Sequence, residues 1–301
     1  MRGIAALFAL LLASAQASRG NTWTSLRAPG SGQAVKTLRG GEVLPPPAVY
    51  ANVVGIGTKK ASLPLFDLSL LSVLSGIHIS FGGLLALTVG GNMPGIASAN
   101  PGLQKILLGV CGLPFGLYMV LLNAGELFTG NTSLLSAAYI EKTASFTGVS
   151  RVWIVSFLGN LLGSLFMVKI ADLAGIITSP AGSAGVALAK VSESFLTCFL
   201  RGMLCNWMVC MAIWIAVASS TLTEKFLAMV LPVSAFVAFG GEHSVANMFL
   251  VPMGMAMGAD VTWADFLTKN LLPVTLGNIV GGVVCQTMPF AAIFGSLVSG
   301  K

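Results

Sequence analysis

Gly125-Glu126-Leu127-Phe128-Thr129-Gly130-Asn131 and Gly241-Glu242-His243-Ser244-Val245-Ala246-Asn247 both read G-E-x-x-x-x-N. Each copy is followed by a second shared phrase, G-N-x-x-G, at Gly159-Asn160-Leu161-Leu162-Gly163 and Gly277-Asn278-Ile279-Val280-Gly281. Glu126 and Asn160 are 34 residues apart, Glu242 and Asn278 36. Both copies lie in strongly apolar sequence. A polar, glycine-flanked interruption repeated in two hydrophobic halves points to a transport site built from broken transmembrane helices.

The surrounding composition supports that reading. Of 301 residues, 55% are apolar and 9% charged, and mean hydropathy is +0.88. Such values fall outside the range of soluble globular domains. Apolar runs at about 66–90, 103–140, 150–174, 191–218, 226–256 and 270–297 are long enough to cross a bilayer as helices. The second and fifth are too long for one simple span, and each carries a G-E-x-x-x-x-N phrase near its middle. The expectation is an all-α membrane protein of six transmembrane helices, the second and fifth broken. Irregular backbone at membrane depth must be buried in protein or line a polar cavity. Lys36, Arg39, Lys59, Lys60, Lys142, Arg151, Lys225 and Lys301 bias both termini to the inside. An odd number of spans per copy then makes the two three-helix repeats inverted. The net charge of +6 reflects topology and the leader; no nucleic-acid partner is expected, and the lipid bilayer is.

Residues 1–17 read as a signal peptide: a charged start, a short apolar run from Ile4 to Ala13, then small-x-small cleavage sites. Residues 18–59 read as a transit-like leader and linker, basic and Ser/Thr-rich up to Gly41, with Pro45-Pro46-Pro47 as an extended connection. The pair resembles the bipartite leaders of algae with complex plastids; a secretory signal with a basic tail is the alternative. Residues 60–301 form the membrane domain. Cys111, Cys198, Cys205, Cys210 and Cys285 all fall in apolar runs and contain no C-x-x-C pair. They read as packing residues, not as disulfides or metal ligands. No metal or other cofactor is expected.

Ionisable groups at membrane depth are rare and costly, so each is a functional candidate. His243 follows Glu242 at the second break and reads as a proton-handling or anion-contacting group, or as a neutral histidine holding the loop. Glu126 and Glu242, at matching positions, read as loop-structuring acceptors for exposed N–H groups of the broken helices. Asn131, Asn247, Asn160 and Asn278 read as amides tying loops to neighbouring helices. Thr129 supplies a hydroxyl in the first break, for substrate or for His243. Leu127, Phe128 and Phe236, with Leu113 and Leu117, are apolar residues that either pack or constrict a pore. Lys190 is a cation at the mouth of the fourth span, or a snorkelling interfacial lysine. Arg201 reads as deep and paired, and His78 as a packed, hydrogen-bonded histidine. No H-E-x-x-H occurs and Ser244 adjoins His243 rather than facing it, so an intramembrane hydrolase is disfavoured and no catalytic residue is expected. Neither break carries the Asn-Pro-Ala of water channels, the remaining alternative.

These phrases, together with Arg201 to Cys210 (R-G-M-L-C-N-W-M-V-C) and Asn270 to Gly282 (N-L-L-P-V-T-L-G-N-I-V-G-G), resemble the formate/nitrite transporter family over roughly residues 60 to 300. The resemblance implies an aquaporin-like bundle assembled as a homopentamer, one pore per protomer, passing small monovalent anions or their neutral acids together with protons. It places Thr129 and His243 at the pore centre and Leu127, Phe128 and Phe236 at constrictions. It makes Lys190 the vestibule lysine and Asn278 an asparagine near the pore. Leu113 stands where some members carry an aromatic residue, and Gly241 where bacterial members carry a bulkier one. A plastid address would favour nitrite as substrate; a plasma-membrane address leaves formate or nitrite.

Overall fold

The computed structural model describes residues 43–297; the expected signal peptide and the basic part of the leader lie outside them. The described chain is helical throughout. A first helix, α1 (Pro46–Ala61), begins on Pro46 and Pro47, whose fixed φ suits the first helical turn. The proline run therefore starts a helix, where the sequence reading expected an extended linker. Then come α2 (Leu65–Leu85, prolonged by a π turn to Gly90), α3 (Pro94–Ala99), α4 (Pro101–Val110), α5 (Leu113–Leu122) and α6 (Phe128–Ile140). The second half follows as α7 (Phe146–Leu173), α8 (Pro180–Ser192), α9 (Phe195–Ala218), α10 (Leu222–Ala238), α11 (Ser244–Ala256) and α12 (Trp263–Phe294). Among the described residues, five helical stretches are long and apolar enough to cross a membrane: 65–90, 101–122, 146–173, 195–218 and 263–294. The fifth apolar run of the sequence is instead divided into α10 and α11 at the expected break.

The two repeats superpose element by element in sequence: α1-α2-α5/α6-α7 corresponds to α8-α9-α10/α11-α12. Both breaks are built alike. Ala124 and Gly240, each two residues before a loop glutamate, take left-handed φ of 51° and 79°. The next N–H then folds back onto the preceding helix: Gly125 N to Val120 O at 2.8 Å, Gly241 N to Phe236 O at 2.7 Å. That closure ends each half-helix. The glycines of G-N-x-x-G are contact points. A Cβ on Gly159 or Gly163 would strike Ser72 or Val73 of α2, and one on Gly277 or Gly281 would strike Phe199 or Met203 of α9. Small residues thus bring the two outer helices of each repeat into backbone contact.

The π turn Phe266–Leu271 explains part of the unequal spacing. Ser145 and Thr262 cap α7 and α12. From cap to pinning asparagine is 15 residues in α7 and 16 in α12; a π turn absorbs the one extra residue within a helix. One further feature departs from the sequence reading. The second apolar run is interrupted twice, at Cys111–Gly112 as well as at the shared phrase. The connection Asn92 to Gly102 carries the short helix α3. The five cysteines are all free.

Candidate functional site

Each loop glutamate is the centre of a buried knot. Glu126 is 2% exposed and Glu242 5%. Glu126 receives Lys60 Nζ at 2.7 Å and Asn131 Nδ2 at 2.8 Å. Glu242 receives Lys190 Nζ at 3.0 Å, Asn247 Nδ2 at 2.6 Å and Asn270 Nδ2 at 3.2 Å. Buried carboxylates at this depth require such compensation. Their backbone N–H groups bond to Leu71 O of α2 and Arg201 O of α9.

Asn160 and Asn278 finish the knots in the same way. Asn160 Oδ1 accepts from Phe128 N at 2.9 Å, the first N–H of α6, and its Nδ2 donates to Ser72 O and Glu126 O. Asn278 Oδ1 accepts from Ser244 N at 2.8 Å, the first N–H of α11, and its Nδ2 donates to Gly202 O and Glu242 O. One amide thus satisfies a helix-terminal donor and ties the loop to a neighbouring span.

Between the two loops the repeats differ chemically. His243 matches Leu127, and Thr129 matches Val245. Thr129 Oγ1 and His243 Nε2 are 2.9 Å apart, both side chains buried. His243 Nδ1 accepts from Ala246 N at 3.0 Å and so caps α11. That cap fixes the tautomer: Nδ1 carries no proton, Nε2 does, and Nε2–H donates to the threonine oxygen. The threonine O–H is left to point elsewhere. Asn206 of α9 bridges the same region, donating to Thr129 O at 3.2 Å, Thr132 Oγ1 at 2.9 Å and Asn278 O at 2.6 Å.

His243 also lines a small cavity whose other walls are Ile79, Leu113, Leu117, Val209, Val233 and Phe236. Phe236 stacks on the imidazole, ring centroids 6.2 Å apart and planes 15° from parallel. The lining follows the repeat. Ile79 and Val209 each lie 14 residues after their helix start, and Leu117 and Val233 each nine residues before the loop glutamate. The cavity therefore lies on the pseudo-two-fold axis and is apolar but for the histidine.

Of the sequence-expected site residues, Thr129, His243 and Phe236 come together, and Leu113 and Leu117 join them. Leu127 and Phe128 are buried but do not line this cavity; Phe128 packs edge-on against Phe157 and Trp153. Lys190 is paired with Glu242 and its side chain is only 15% exposed. Arg201 pairs with Glu193 at 2.7 Å, as expected, with its side chain 40% exposed on the single protomer. His78 is half-buried with Nδ1 unpartnered, against the expected hydrogen bond. Sequence reasoning missed Lys60 as a site residue. The available signal was its position five residues before Leu65, which repeats as Lys190 before Phe195.

An inverted pair of repeats, two broken helices whose loops meet at the Thr129–His243 bond, and an apolar cavity with the histidine in its wall define an aquaporin-like bundle of the integral membrane class. Comparison with known proteins makes the assignment specific. The model of the formate/nitrite transporter family matches residues 47–292. A protein described as a "probable formate transporter" from Methanothermobacter thermautotrophicus is 40% identical over 247 residues, covering 76% of this chain and 89% of the relative. The formate channel FocA of Escherichia coli is 31% identical, covering 82% and 94%. Among solved structures, an FNT family ion channel aligns with a TM-score of 0.72 at 32% identity, covering 81% of this chain and 96% of that one. A pentameric formate channel with formate bound aligns with a TM-score of 0.67 at 31% identity, covering 76% and 97%. The chain belongs to the formate/nitrite transporter family, a family of transporters rather than enzymes. Its match begins within α1, so that helix is part of the family's domain.

Proposed function

We propose that this protein carries small monovalent anions, formate or nitrite foremost, across a membrane together with a proton, through a pore in each protomer of a homopentamer. The observation that carries the reading is that His243, paired with Thr129, is the one polar residue in the wall of an otherwise apolar cavity. A bare anion pays heavily to enter such a cavity. Desolvation shifts a weak acid toward its neutral form. The imidazole Nε2–H occupies a lone pair of the Thr129 oxygen, which orients the threonine O–H as a donor to an arriving carboxylate or nitrite oxygen. Because Nδ1 is committed to the α11 cap, protonating His243 there would cost that cap. The proton that crosses with the anion therefore comes from solvent, and the pair steadies the neutral acid rather than delivering the charge. Lys190 and Lys60 contribute a positive potential at two sites, each moderated by its glutamate partner. The pentameric formate channel with formate bound and the formate channel of Escherichia coli support this reading by analogy.

The test is uptake of formate and of nitrite into proteoliposomes across a range of pH, with a pH dye inside. Uptake that rises at acid pH with acidification of the lumen supports acid transport. Charge movement without proton movement would replace it with channel-like anion passage. Water movement with neither anion would return the chain to a water-channel reading. We further propose a plastid envelope address, on the leader's composition; a fluorescent fusion of residues 1–50 found at the plasma membrane would refute it.

A further inference from the structure

The two repeats each place a helix before the first span, α1 and α8, and each such helix lays a lysine on a loop glutamate. They are not held alike. Gly57 of α1 faces Leu134 O and Ala138 of α6, while Ala187 of α8 faces Gly254 of α11, so one residue of each pair is glycine. Lys60 and Lys190 then reach Glu126 and Glu242. Each has a further anchor near its lysine: on α1 the Thr58 hydroxyl lies 2.7 Å from that of Thr143, and on α8 Asn270 Nδ2 donates to Lys190 O at 2.9 Å. Among the described residues, α1 alone is also fastened by a side-chain hydrogen bond near its N-terminal end. Tyr50, 3% exposed, donates its hydroxyl to Glu141 Oε1 at 2.7 Å. The same oxygen accepts from Ser296 N at 2.9 Å, just beyond α12. The positions matching Tyr50 and Glu141, ten residues before Lys190 and 15 after Glu242, are Pro180 and Met257, which can form no such bond. The need for it is physical. α8 runs between two spans, α7 and α9, whereas among the described residues α1 is joined to a span only through α2.

We infer that Glu141 is a positioning residue for the first pore loop: it fastens α1 at Tyr50, and α1 in turn holds Lys60 on Glu126 and so fixes the loop that carries Thr129. The chain of contacts is continuous. Glu126 Oε1 takes Lys60 and Oε2 takes Asn131, two residues beyond Thr129. If α1 lifts, Glu126 is left buried without a cation, and the loop must open or the carboxylate must take a proton. The end of α12 joins the same fastening, which couples the last span to the first loop through one carboxylate oxygen. Gly295 marks how tight that joint is: a Cβ there would collide with Glu141 Oε1 and the Tyr50 hydroxyl. The fastening needs an acceptor oxygen at Glu141, and the carboxylate's charge strengthens it.

The experiment is acylation of lysines in the intact, full-length protein in nanodiscs, with a small amine-reactive ester, read out per residue by mass spectrometry. Tyr50→Phe, Glu141→Ala and Gly295→Val should each speed labelling of Lys60 by about tenfold, the factor expected for one lost hydrogen bond to a charged group. Labelling of Lys190 should not change. Glu141→Gln keeps an acceptor oxygen but not the charge and should label at a rate between the parent protein and Glu141→Ala. Tyr50→Phe removes a single atom, so it tests the idea even where Glu141→Ala fails to assemble. Lys60 labelling unchanged in Tyr50→Phe would overturn the proposal. So would Glu141→Gln behaving like Glu141→Ala. A second arm rests on the transport reading: Tyr50→Phe should slow formate uptake in the parent background and have no further effect beside Lys60→Met. The labelling arm stands whatever species the pore carries.

Discussion

At the scale of single residues, the central fact is that His243 has both ring nitrogens engaged. Nδ1 holds the loop, one of the two jobs that the sequence offered as alternatives, and Nε2 meets Thr129, which on the proposed reading is the other. Substitutions separate them. Asparagine is a good N-cap, so His243→Asn should keep α11 capped while losing the bond to Thr129; the protein should assemble normally yet transport poorly. Thr129→Val removes the O–H at nearly constant volume and should lower uptake by roughly 10–100-fold, since a donor to a charged oxygen is worth about 1.5–3 kcal/mol. Thr129→Ser keeps the hydroxyl and should stay within a few-fold of the parent protein. Initial rates of formate uptake with matched protein content check all three. Thr129 and His243 were legible because each stood in a repeated phrase at membrane depth. Ile79, Val209 and Val233 were not, because an apolar residue lining a pore and one facing lipid look the same in a single sequence.

The same contrast appears at the scale of elements. The shared phrases announced the two broken helices, since a G-E-x-x-x-x-N inside an apolar run has no other economical reading. The π turns and the interruption at Cys111–Gly112 could not be read, because one extra residue in a helical turn changes the register and not the apolar character of the run. The ends of α5 and α10 carry a specific prediction. Both need a left-handed residue, and one repeat uses glycine where the other uses alanine. Gly240→Ala should therefore cost on the order of 1–2 kcal/mol, and Ala124→Gly should be neutral or slightly stabilising. Asn278→Ala strands Ser244 N–H and two carbonyls and should cost on the order of 3 kcal/mol, more than either. Thermal unfolding in detergent, followed by loss of the oligomer peak, ranks the three. Glu141 adds a pH statement. Burial raises its pKa, but hydrogen bonds from Tyr50 and from Ser296 outweigh that and hold it below the ordinary 4.5. A depressed folded pKa means the fastening is at full strength above the unfolded value and is lost as pH falls through the folded one. Amide exchange in α1, corrected for intrinsic rates, should stay slow through neutral pH and quicken only in acid.

At the scale of the whole molecule, two inverted halves meet around one asymmetric pair, and the framework that holds them is symmetric and charged. Topology was read from the lysines as though all were solvated, and for Lys59 and Lys142 the exposure fits that. Lys60 and Lys190 are different: each side chain is 15% exposed and faces a carboxylate that is nearly inaccessible. The distances in sequence, 66 residues for one pair and 52 for the other, hid this equivalence. The difference is the extra chain of the first half that forms the end of α2, with α3 and α4. A desolvated pair is weak evidence of net stability, yet removing one partner leaves an uncompensated charge. Lys60→Met should then cost about 3–5 kcal/mol, and Lys60→Met with Glu126→Gln should recover most of it, since the remaining amide can still accept from Asn131. Lys190→Met with Glu242→Gln should recover less, because Glu242 also receives Asn270 and its loop carries the histidine. Oligomer melting of the single and double variants in both halves measures the two coupling energies. Equal coupling in the two halves would mean that the framework is symmetric in energy as well as in form. The predicted inequality would mean that Asn270, which stands where the first repeat has Trp153, makes the histidine loop the stiffer of the two.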